Sequence, residues 1–132
     1  MAISRLATSN PSANTDTLMY TRTGSRVALV SVLATNKSSD AATVRVWVVP
    51  LGEDNNSQNH VTITYDLSVA GKDTLETFRF PLAPSDKLYI RASSGDISFL
   101  LSGIDNTSAS GTELTDVQAL ANKALIYALV DL

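Results

Sequence analysis

The chain has 132 residues, 44% of them hydrophobic and 17% charged, with a formal net charge of −3 and no cysteine. That length fits one domain, and the apolar content is too high for a disordered chain. The charge balance sets up no field for nucleic acid, the missing cysteines exclude a disulfide framework and thiolate chemistry, and no apolar run approaches the ~20 residues of a membrane span.

In chain order, residues 1–16 are rich in Ser, Thr, Asn and Ala and read as an N-terminal arm, mobile or lying on a neighbour. Their start lacks the apolar stretch of a secretory signal. Thr17–Tyr20 reads as a short opening strand, and turn residues at Thr23–Ser25 lead into RVALVSVLAT. That run is apolar on both faces, which predicts a central strand covered on both sides, the second cover coming from outside the sandwich. Alternation with period two, the strand signature, then takes over. Val44, Val46 and Val48 face one way, and Thr43, Arg45 and Trp47 the other. In HVTITYDLSV, Val61, Ile63, Tyr65 and Leu67 alternate with polar residues, and TLETFRF places Leu75, Phe78 and Phe80 near one face. KLYIRA sets Leu88 and Ile90 against Lys87, Tyr89 and Arg91, and ISFLLSGI sets Ile97, Phe99 and Leu101 against Ser98, Leu100 and Ser102. Short strands separated by turn clusters predict a mostly β protein, an antiparallel β-sandwich of jelly-roll or immunoglobulin-like type, over residues 17–104.

Residues 105–132 change character. IDNTSASG, Ile104 to Gly111, is a linker of turn formers, and TELTDVQALANKALIYALVDL gathers strong helix formers. Thr112 is the N-cap, and Glu113 and Asp116 put negative charge in the first turn, where the helix dipole favours it. Leu114, Val117, Ala121, Ala124 and Ala128 form a narrow stripe of mostly small residues. Leu120, Leu125, Ile126, Leu129 and Val130 widen it until the last turns are apolar nearly all round, so such a C-terminal helix is buried on more than one side. LIYALVDL as a terminal strand is the competing reading. Sequence alone leaves open whether the helix packs on its own sandwich or on a partner.

No catalytic pattern stands out. His60 is a lone histidine at a strand edge with no Ser or Cys motif beside it. GEDNNSQN, with Glu53, Asp54, Asn55 and Asn56, has the oxygen ligands a hard cation prefers but not the calcium-loop spacing, so it reads as a solvated turn. Three Asn-X-Ser sequences begin at Asn36, Asn55 and Asn106, and read as polar loops. No metal or cofactor is expected. Arg45, Trp47, Lys87, Tyr89 and Arg91 would form an aromatic and basic platform if their strands are neighbours. The plainest reading is cross-strand cover for the outside of a sheet; a protein interface and a sugar-stacking surface are the alternatives.

Taken together, RVALVSVLATNKSSDAATVRVWVVPLG followed by VTITYDLSVAGKDTLETFRFPLAPSDKLYIRASSGDISFLLSG resembles the small β-sandwich virion proteins of tailed bacteriophages, especially cyanophages. The resemblance rests on a strand ending in Asn36, the Tyr65–Asp66 pair, the SDKLYIRAS strand and the closing DISFLLSG strand. It covers Ala2 to Gly103 and stops where the linker and helix begin. It implies a non-enzymatic part of the particle, on the capsid surface, at the neck, or in tail and fibre, without saying which. We read the chain, made in the host cytoplasm, as a capsid-surface or neck component rather than a tail fibre. On that reading, the arm and the helix make the attachments. The expected partners are other copies, as a trimer or ring, and other virion proteins, with no nucleic acid and no membrane. A carbohydrate- or receptor-binding module at a fibre or tail tip is the alternative.

Overall fold

The computed structural model describes residues 3–55 and 61–104, and these form nine strands with no helix among them. The strands are β1 (Ser4–Ser9), β2 (Thr17–Thr21), β3 (Ala28–Asn36), β4 (Ala42–Val49), β5 (Val61–Val69), β6 (Thr74–Glu76), β7 (Phe80–Leu82), β8 (Lys87–Ala92) and β9 (Ile97–Ile104). Every pairing is antiparallel. One sheet has the order β1-β9-β3, with β6 and β7 both on the far side of β3; the other has the order β2-β8-β4-β5. Taking β6 and β7 as one interrupted strand, the chain crosses between the sheets at every connection except β4–β5, as two Greek keys do, which is jelly-roll connectivity. The C-terminal helix expected from sequence lies outside the described residues.

The alternation read from the sequence is what fills the space between the sheets. Ala28, Val30, Val32 and Ala34 of β3 and Ile97, Phe99 and Leu101 of β9 meet Val44, Val46 and Val48 of β4 and Leu88 and Ile90 of β8, all buried. Each large side chain buried this way contributes roughly 1.5–3 kcal/mol. β3 is central, as expected, between β9 and the β6–β7 edge.

Three local features differ from the expectation. Residues 4–9 are not a free arm: β1 pairs with β9 from Ser4 opposite Gly103 to Ser9 opposite Phe99. β9 would otherwise present an open edge, and a Ser/Thr-rich strand can satisfy it through backbone bonds while Leu6 and Ala7 pack on the core. A register shift between Arg5 and Ala7 breaks the alternation that would have marked the strand. Second, TLETFRF is two short strands. At the break, the Thr77 N–H donates to Val32 O (2.9 Å) and the Thr77 hydroxyl accepts from Val32 N (3.0 Å), so one residue takes both ladder bonds of Val32. Phe78 is thereby turned away from the face it was expected to share with Leu75 and Phe80, and is 93% exposed.

Third, two polar side chains are buried. Arg22, after β2, is 1% exposed, and its Nε donates to Arg26 O at 2.9 Å. Its backbone N–H donates to Asp86 O and its carbonyl accepts from Ser85 N, tying the β2–β3 turn to the β7–β8 turn. A Cβ at Gly24 would lie 2.6 Å from the Arg22 guanidinium, so the glycine makes room for the buried cation. Asn36, at the end of β3, is fully buried. Its Nδ2 donates to Asp40 O (2.8 Å) and Val69 O (3.1 Å), and its Oδ1 accepts from Ser38 N (3.0 Å) and Ser38 Oγ (2.9 Å). One side chain thus closes the β3–β4 turn and fastens it to the end of β5.

Candidate functional site

The strands carrying the expected platform are neighbours. In the β4–β8 register, Arg45 lies opposite Arg91, Trp47 opposite Tyr89 and Val49 opposite Lys87. The rings of Trp47 and Tyr89 stack at 5.7 Å between centroids and 15° between planes. The platform is nevertheless closed. Trp47 is 0% exposed, and its indole N–H donates to Asn55 Oδ1 (3.0 Å) on the β4–β5 connection. The outward, stackable Trp47 expected from alternation is therefore corrected: the residue is on the expected face, but it is covered.

The two arginines are held as well. Arg91 Nη1 donates to Asp16 Oδ1 at 2.9 Å. Arg45 forks onto Asp66, Nε to Oδ1 at 3.0 Å and Nη2 to Oδ2 at 2.9 Å, with its guanidinium carbon 4.2 Å from the centre of the Tyr65 ring. Asp66 reaches this position because β5 carries two residues against one there: the register shifts between Val44 and Val46, and Asp66 takes a positive φ of 53°. Asp and Asn tolerate that left-handed conformation better than most residues. The Tyr65–Asp66 pair is thus a β-bulge that aims one carboxylate at Arg45. The hydrogen bond from Arg45 holds the Asp66 carboxyl below the usual carboxylate range, against the opposing effect of desolvation. Trp47, Arg45 and Arg91 are thus each engaged by side chains of this chain.

The outer face of the other sheet has different chemistry. Across β3 and β9, Leu29 pairs with Ile104, Ser31 with Ser102, Leu33 with Leu100 and Thr35 with Ser98. Two apolar rungs therefore flank a rung of two serines. Leu29 is 39% exposed, and Leu33, Leu100 and Ile104 are half-buried. A shallow depression bounded by Ile3, Leu29, Arg79 and Ile104 lies at one end, and another bounded by Thr8, Leu33 and Leu100 at the other. The sequence signal for this face is the two-sided apolar character of RVALVSVLAT.

A third surface is the side of the sandwich where the edge strands β5 and β6–β7 lie, opposite the side where β1 meets β2. Val61, Tyr65 and Leu67 of β5 are each about half exposed, and Phe78 between β6 and β7 almost wholly so. Among the described residues, no cluster of three or more His, Asp or Glu side chains is placed to hold a metal. His60 lies outside those residues, as do Leu120, Leu125, Ile126, Leu129 and Val130.

No protein-family model matches this chain, and no curated protein matches it. Among solved structures, it is similar to a chain in the structure of infectious bursal disease virus Gx strain, with a TM-score of 0.47 and 10% identity over 80% of this chain. The match spans 33% of that viral chain.

Proposed function

We propose that this chain is a structural protein of a virus particle and works by assembly rather than catalysis. The observation that carries the reading is Phe78, 93% exposed at the break between the edge strands β6 and β7, with Val61, Tyr65 and Leu67 of the other edge strand, β5, each about half exposed. Apolar side chains left exposed along the edge strands of a sandwich gain their burial from another molecule. Jelly rolls serve widely as capsid building blocks, and also as lectins and cupins. The covered Trp47 and the paired Arg45 and Arg91 favour the building block over the sugar-binding alternative. The resemblance over Ala2 to Gly103 supports a tailed-bacteriophage virion; within the particle, our reading is the capsid surface or the neck. Its partners are then copies of itself, closed as a trimer or ring, and other virion proteins.

The test is quantitative mass spectrometry of gradient-purified particles of the virus encoding the chain. The chain is expected at fixed stoichiometry to the major shell protein: high for a capsid-surface component, that of a single ring for a neck component. Its absence from washed particles overturns the reading.

A further inference from the structure

We propose that residues 112–132 dock in cis on the outer face of the β1-β9-β3 sheet, adding a third layer to the sandwich. The chain leaves its last described strand at Ile104, which is itself half of an apolar rung on that face. The linker 105–111 spans up to about 23 Å when extended, against roughly 10 Å between a sheet and a layer packed on it. The segment can therefore turn back over its own sheet.

The dimensions agree. As a helix rising 1.5 Å per residue, the segment separates Leu120 from Val130 by about 15 Å. On the sheet, the Leu29–Ile104 and Leu33–Leu100 rungs are four strand residues apart, about 13 Å. Ala121, Ala124 and Ala128 provide the close approach that a ridge of leucines on a sheet requires. Charge is complementary as well: Arg5, opposite Ser102, and Arg79 flank the Leu29–Ile104 end, with Glu76 also bordering it. Glu113 and Asp116 fall in the segment's first turn, which reaches the face from that end. Because the segment is tethered, its effective concentration at this face is of millimolar order, so it outcompetes the same segment of a second copy.

The chain has no cysteine, so an introduced pair is its complete thiol content. In the full-length chain, Leu100→Cys with Leu129→Cys is expected to oxidise to an intrachain disulfide, seen as a faster monomer band on a non-reducing gel and as the linked peptides by mass spectrometry. Leu33→Cys with Leu125→Cys tests a shifted register. Failure of both pairs to oxidise overturns the proposal. So does interchain dimer formation, which would make a second copy the occupant and leave the virion reading untouched. Equal cross-linking between Leu125→Cys and Ser68→Cys, on the opposite sheet, overturns it too.

Limited trypsin digestion of the cysteine-free chain provides a second readout. Leu33→Asp with Leu100→Asp is expected to speed cleavage after Lys123 on the order of tenfold, by releasing the docked segment. Equal cleavage rates in the two chains overturn the proposal.

Discussion

Replacing Asn36 with Asp exchanges one heavy atom, the amide nitrogen for an oxygen, and separates the hydrogen-bonding role of this residue from its volume. The native amide makes four hydrogen bonds from a fully buried position, two donated and two accepted. At a net ~1 kcal/mol each, with Ser38 half-exposed and able to recruit water, Asn36→Ala is expected to cost about 3 kcal/mol. In a chain of this size that lowers the melting temperature by roughly 10 °C. Asn36→Asp keeps the volume but replaces the donor by a carboxylate oxygen facing Asp40 O and Val69 O. Burial and that repulsion both favour the neutral acid, so the folded-state pKa rises above its unfolded value. The sign follows from linkage: the penalty is full above the folded pKa, shrinks as pH falls through it, and is gone below the unfolded value. Urea denaturation from pH 7 to pH 4 should therefore find Asn36→Asp at least as damaging as Asn36→Ala at neutral pH. It should then recover relative to the native protein on acidification, while Asn36→Ala stays at a constant offset. Parallel pH profiles for the two variants, or an Asp variant of native stability at pH 7, would refute this account of the turn.

Trp47→Ala should behave as a core truncation, costing about 3–5 kcal/mol in chemical denaturation, because the ring is buried and stacked on Tyr89. A variant of unchanged stability would return Trp47 to the surface. Asp66→Asn, which keeps a residue suited to the left-handed backbone, should cost about 0.5 kcal/mol, since the Asp66 side chain is 45% exposed to solvent. The depressed carboxyl stabilises above its unfolded pKa and loses that effect as pH falls through the folded value, so thermal melts should find the native protein converging on the variant below about pH 4. Phe78→Ser should leave the urea midpoint unchanged, because the ring is 93% exposed. Light scattering should find weaker self-association or weaker incorporation into particles.

The strands that were legible in the sequence are those whose two faces meet different media. β4, β8 and β9 alternate because one side enters the core and the other does not, and period two records that difference directly. β1 was illegible because its role is to satisfy an edge with backbone bonds, which Ser and Thr do as well as any residue, and its bulge erases the period. Alternation placed Trp47 on the correct face, but the residue is covered by Asn55, eight positions away in a connection with no period of its own. Phe78 was misplaced because Thr77 takes two ladder bonds, an event of hydrogen-bond geometry that apolar pattern does not encode. Asn36 and Tyr65–Asp66 stand out in the sequence as features of a resemblance. Their physical meaning, a satisfied buried amide and a bulge aiming a carboxylate, depends on Val69 and Arg45, which local sequence does not bring near them.

The two outer faces differ in chemistry. On β4 and β8, the ion pairs of Arg45 with Asp66 and of Arg91 with Asp16 and the covered indole leave few polar or aromatic groups seeking a partner. Exposed pairs of this kind add little stability, but they occupy the side chains that would otherwise recognise a sugar or an anion. On β3 and β9, the same backbone geometry carries leucine and isoleucine rungs with serines between them, and these gain nothing from water. If the segment beyond Ile104 closes that face, the β5 and β6–β7 side, with Phe78 at its break, still offers apolar surface to other molecules. Assembly then depends on a strand edge and one projecting ring rather than on the C-terminal stripe. The chain with outer-face aspartates at Leu33 and Leu100 should therefore lose protection of its C-terminal segment while keeping the contacts that Phe78→Ser removes.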